Sequence, residues 1–124
     1  MRKERPKNLD LSTVKFPITA TASILHRVSG IIVFIALAIF LTLLNCSLSS
    51  AEDFQRVQGY FDLFIVEFVF WGSLTGLAYH AVFGVRHMIQ DLGHWEEMDS
   101  SSLSAKVGFV ITAALSVLAG ILVW

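Results

Sequence analysis

Apolar residues in this chain are gathered into three long, sparsely charged blocks, at about 20–45, 63–88 and 106–124, and this distribution restricts the fold more than any other feature. Crossing ~30 Å of hydrocarbon takes ~20 apolar residues at a helical rise of ~1.5 Å each, so every block is long enough or nearly so. Hydrocarbon supplies no water to backbone amides and carbonyls, and a spanning segment must therefore satisfy them internally, as a helix does. The expected fold is an all-α membrane protein with three transmembrane helices in one anchor domain, 1–124, preceded by an arm over 1–19. Composition agrees. A chain that is 55% hydrophobic and 15% charged, with mean hydropathy +0.67, lies outside the range of ordinary soluble domains.

The first block exceeds the ~7–15 residues of a signal-peptide core and no convincing small-residue cleavage site follows it, so it is expected to be retained. Arg2, Lys3, Arg5, Lys7 and Lys15 precede it, and Arg86 and Lys106 flank the second connection. The first connection, about 47–62, sets one Arg56 against Glu52, Asp53 and Asp62. Positive flanks mark the cytoplasmic side, which predicts a cytoplasmic N-terminus and an outer, periplasmic C-terminus, with Trp124 at the interface. Ser50 and its neighbours predict a short surface helix in the first connection, and 99–104 reads as a cap to the third span. The single Cys46 excludes an internal disulfide and reads as a small apolar residue near a helix end. No basic patch with interleaved aromatics points to nucleic acid.

Ionisable groups inside such blocks are costly, roughly 2.5–3.5 kcal/mol for Arg on insertion scales, and so mark function. Here they cluster toward one end: His26 and Arg27 in the first span, His80, Arg86 and His87 in the second. Gly72, Gly76, His80 and Gly84 recur every fourth residue along one helical face. That stripe suits either a flat ligand against the backbone, with His80 as a haem ligand, or close packing against another helix with His80 bonded across the interface. Ser23 and Arg27 are one turn apart, beside a second stripe of His26 and Gly30. Arg27 either snorkels to headgroups or joins Ser23 in binding ligand oxygens, such as a quinone carbonyl or a haem propionate. His87 and Asp91 form another one-turn pair next to Arg86, suited to a solvated ion cluster, a proton path or a docking face. Glu67 and His94 are given no role.

Two of these motifs, taken together, resemble a known family. Arg5-Pro6 followed by Ser23-Ile24-Leu25-His26-Arg27-Val28-Ser29, then His80, Gly84, Arg86-His87 and Asp91-Leu92-Gly93, resemble the cytochrome b556 membrane-anchor subunit of succinate dehydrogenase (succinate:quinone oxidoreductase, respiratory complex II) over essentially the whole chain. Lys7 and Gln90 depart from the family pattern, both outside the chemistry expected of it.

The resemblance implies that His80 is an axial ligand of haem b, shared with a second haem-ligating anchor subunit. It further implies that His26 and Arg27 lie near the haem propionates and that Ser23 and Arg27 line a ubiquinone site. Flavoprotein and iron–sulfur subunits would dock on the cytoplasmic face, in the inner membrane of a bacterium. The chain would be no enzyme alone, because it carries no flavin motif, no iron–sulfur cysteines and no dicarboxylate pocket. The competing reading is a structural or assembly protein whose histidines serve only helix packing.

Overall fold

The computed structural model describes residues 17–124. The arm with Arg5-Pro6 and Lys7 lies outside the described residues. Four helices follow in order: α1 (Ile18–Ser47), α2 (Ala51–Tyr60), α3 (Phe64–Asp91) and α4 (Met98–Val123). The expectation of three spans holds, since α1, α3 and α4 are each long and apolar enough to cross a membrane. At ~1.5 Å per residue they run roughly 45, 42 and 39 Å, so each extends past the hydrocarbon slab.

Local chemistry sets the ends of the helices. Pro17, with φ −64° and ψ 157°, precedes α1 and receives the amides of Ala20 and Thr21 on its carbonyl. Ser50 caps α2 by accepting from the Asp53 amide at 3.0 Å, and Glu52 and Asp53 face the positive end of its dipole. The short surface helix expected there is present. Its Arg56 reaches Asp53 at 3.3 Å, an exposed pair worth about 0–1 kcal/mol. Gly93, at φ +91°, stops α3: its amide bonds the Gln90 carbonyl and the His94 amide bonds that of Ile89, a Schellman closure that favours glycine.

One boundary differs from expectation. The helix that carries the third apolar block begins at Met98, so 99–104 does not cap it but forms its first turns. Serine is tolerated there because its hydroxyl bonds within the helix, Ser100 to the Glu97 carbonyl and Ser104 to that of Ser101.

The three long helices alternate in direction, bringing the start of α1, the end of α3 and the start of α4 to one end of the bundle. Ala22, Tyr79, Phe83 and Ala105 form the buried core near that end. Tyr79 donates to the Ala22 carbonyl at 2.7 Å, tying α3 to α1. At the far end Trp71 donates to the Ser116 carbonyl at 2.9 Å, and Trp124 donates to Glu67 at 2.8 Å. Glu67, to which the sequence assigned nothing, therefore holds the end of α4 to the start of α3. Most large apolar side chains face outward, Phe34 and Leu122 among them, as a lipid- or partner-facing surface requires.

α3 and α4 approach closely at Gly108, where an added Cβ would stand 2.8 Å from the Phe83 ring. Phe83 is buried, and a side chain at 108 would have to displace its ring. Gly108→Val is therefore expected to destabilise the bundle by about 1–3 kcal/mol. Gly72 faces open space, so Gly72→Ala should be neutral or stabilising by up to about 1 kcal/mol. Thermal unfolding of the two variants in mild detergent checks both.

Candidate functional site

The polar residues singled out by sequence meet where α1 crosses α3. His26 lies about 12 Å along α1 and His80 about 16 Å from the end of α3, so the two reach similar depth from one end of the bundle. Their rings stack face to face, with centroids 4.3 Å apart and planes 6° from parallel. His87 extends the stack, 6.3 Å from His26 and 10° from parallel.

Glycines permit this approach. A Cβ at Gly30 would stand 3.2 Å from Cε1 of His80, and one at Gly84 would stand 3.6 Å from Nε2 of His26. Gly76 faces Ile32 at 3.2 Å on the same terms. Of the two uses foreseen for the α3 stripe, Gly76 and Gly84 serve close packing against α1, and only Gly72 fronts open space.

The ring nitrogens have distinct environments. Nδ1 of His80 lies 3.1 Å from the hydroxyl of Ser29, which itself donates to the His26 carbonyl at 2.7 Å. Among the described residues no hydrogen bond reaches Nε2 of His80. Nε2 of His26 is buried and, among the described residues, likewise lacks a partner. A buried polar atom without a bond costs roughly 1–3 kcal/mol, so this nitrogen is poised for a donor or acceptor from a bound group.

His26 lines a cavity of about 210 Å³, whose wall also includes Thr19, Ser23, Arg27, His87 and Gln90. Ser23 and Arg27 are exposed at its rim, as the one-turn spacing predicts. Asp91 is not part of the wall and stands exposed one turn beyond His87. No ion pair joins His87 and Asp91; among the described residues only Arg56 forms such pairs.

Arg86 departs most from the expected interfacial ion cluster. It turns inward and is buried, donating from Nε to Ser104 at 2.8 Å and from one terminal nitrogen to the hydroxyl and carbonyl of Ser101, both at 3.1 Å. Gln90, set aside as a departure from the family pattern, donates to Ser101 at 3.0 Å and lines the cavity. Sequence reading missed both because their partners are serines that looked like a cap. On the opposite side, a groove of about 450 Å³ between α3 and α4 is walled mainly by aliphatic residues such as Val82, Ile89 and Val107.

The donor set suits a haem rather than a free metal ion. Among the described residues no cluster of three or more His, Cys, Asp or Glu could hold an ion. Iron already held by a porphyrin needs only axial ligands, for which neutral imidazole is a common choice. His26 and His80 do not supply both on one iron as they stand. Axial lone pairs must point at each other across the metal, whereas stacked rings direct theirs side by side.

The chain matches the model of the succinate dehydrogenase/fumarate reductase transmembrane subunit family over residues 1–119. It is 35% identical to the succinate dehydrogenase cytochrome b556 subunit of Coxiella burnetii, over 100% of both chains. The cytochrome b560 subunit of Marchantia polymorpha is 31% identical over 95% of this chain and 90% of its own. The cytochrome b556 subunit of Paracoccus denitrificans is 24% identical, covering 94% and 92%.

The Arg86 fork is a structural tie between α3 and α4. Arg86→Lys keeps the charge but cannot reach Ser104 and Ser101 together in the same geometry. It should lower the stability of the bundle by about 1.5–3 kcal/mol, as expected for lost bonds to a charged group, measured by thermal unfolding in detergent.

Proposed function

The chain belongs to the family of succinate dehydrogenase/fumarate reductase transmembrane subunits, and from that premise we propose that it is the haem b-binding anchor of a succinate:quinone oxidoreductase. One observation carries the reading. His26, Arg27 and His87 line one cavity together with Ser23, and the His80 ring stacks against His26. The names of the relatives support a cytochrome b, and the arrangement of this chain's nitrogens supports His80 as the axial ligand.

In this reading Nε2 of His80 would hold the haem iron while Ser29 would steady Nδ1. Haem, when bound, supplies a one-electron centre inside the membrane. His26 and the Arg27 guanidinium would hold the propionates, since a permanent cation and hydrogen bonding match a carboxylate. A partner anchor subunit would supply the other ligand.

Ser23 and Arg27 at the rim bind the head of ubiquinone. A hydroxyl and a guanidinium stabilise a carbonyl oxygen more strongly as it gains electron density, so they favour the reduced form over the ground state. His87 on the cavity wall and the solvated Asp91 one turn outward offer protons alongside bulk water at this end of the bundle. The end of the bundle bearing these groups faces the cytoplasm and receives the iron–sulfur and flavoprotein subunits. Packing alone accounts for the Ser29–His80 contact, but not for the unpaired nitrogen of His26.

His80→Leu tests the haem assignment. The reduced-minus-oxidised spectrum of mutant membranes, normalised to assembled complex, should lose or alter its haem b signal, and an unchanged low-spin signal would show that His80 is no ligand. The quinone assignment separates on two assays of the same membranes. Ser23→Ala and Arg27→Leu should each lower succinate:ubiquinone activity by about 10²–10³-fold, the usual effect of losing one such donor. Transfer to a soluble artificial acceptor should persist; parallel loss of both rates would reduce these residues to an assembly role. Arg27→Lys should rescue only in part, since an ammonium lacks the planar fork. Asp91→Asn, at a solvated position, should change quinone reduction modestly and leave the haem spectrum intact.

A further inference from the structure

Ser29 is one of the few buried polar residues of the bundle, and its hydroxyl touches two groups at once. The first is the His26 carbonyl at 2.7 Å. A carbonyl oxygen only accepts, so this contact takes the single hydroxyl proton of Ser29. The second is Nδ1 of His80 at 3.1 Å. With its proton already committed, the serine oxygen is left to accept, and Nδ1 must donate. A neutral imidazole that carries its proton on Nδ1 has a bare lone pair on Nε2. The backbone of α1 thus determines, through one serine, which nitrogen of a histidine on α3 is free to bind metal.

We propose that Ser29 is a positioning residue that locks His80 in the Nδ1–H tautomer and presents Nε2 as the iron ligand. The proposal rests on the reading that His80 binds haem. Gly30 leaves room for this ring, because a Cβ there would stand 3.2 Å from Cε1 of His80, a contact the ring would have to relieve by shifting. A hydroxyl that donates to a carbonyl is polarised into a better acceptor for the Nδ1 proton. That acceptor increases electron donation from Nε2 and favours ferric over ferrous iron. Such partners of a ligating histidine typically change metal binding by about 10- to 100-fold.

The test is a redox titration of haem b and low-temperature electron paramagnetic resonance on the assembled complex, with Ser29→Ala, Ser29→Cys, Ser29→Thr and His80→Leu prepared in parallel. Ser29→Ala should raise the midpoint potential, alter the ferric low-spin signal and retain haem about 10- to 100-fold less well in detergent. Ser29→Thr, which keeps the hydroxyl, should return both potential and signal toward the wild-type values. If Ser29→Ala does not assemble, Ser29→Cys decides, since a thiol is similar in shape but a weak acceptor: a rise in potential supports the proposal and an unchanged potential overturns it. Wild-type potential and signal in Ser29→Ala, while His80→Leu loses its low-spin signal, would overturn the role of Ser29 and leave His80 as the ligand. An unchanged signal in His80→Leu would instead remove the reading on which the proposal stands, and the proposal with it.

Discussion

Helices in hydrocarbon gain little from hiding apolar surface from one another, so side-chain bonds and close contacts must hold them in register. In this chain those bonds concentrate in the half of the bundle that carries the ionisable residues. Tyr79 bonds the backbone of α1, Arg86 bonds the start of α4, and Ser29 joins α1 to His80. Phe83 fills the space between them and Gly108 receives its ring. Each bond is modest, on the order of 0.6 kcal/mol and at most about 2 in membrane proteins, yet together they leave α1 and α3 close enough for their histidines to stack.

The other end is built differently. Trp71, Thr75 and Ser116 link α3 to α4, and Trp124 reaches back to Glu67. These contacts are placed among aromatic rings, including Phe64 and Phe68, and bring no histidine together. The bundle is thus held at both ends but carries its unpaired ring nitrogens at only one. That asymmetry is what a one-sided cofactor or substrate site needs.

Much of this was legible beforehand. Length and apolarity alone identify the spans, because lipid leaves a long apolar segment no alternative to the helix. The one-turn spacing of Ser23 with Arg27 correctly puts both at one rim. Spacing along one helix cannot say which neighbour a residue meets, and the misreadings are of that kind. Arg86 reads as interfacial beside His87 and Asp91, yet its rotation about α3 turns it onto α4. The serines at 100–104 read as a cap because serine is usual there, but in the structure they satisfy their hydroxyls inside the helix and receive Arg86 and Gln90. The glycine stripe suggests a flat ligand or a packed helix equally well, and only the partner helix distinguishes them. Ser29 is visible in sequence as part of a motif, but its contact with His80 spans two helices and is invisible along either.

The proposed role of His80 is to bind haem iron through Nε2. The most direct measurement is a cryo-electron microscopy map of the assembled complex with its haem retained. The account predicts iron density in line with Nε2 of His80, the Ser29 hydroxyl still at Nδ1, and His26 and Arg27 turned toward the propionates. Iron density away from His80, with the His80 ring still stacked on His26 and unligated, would contradict it.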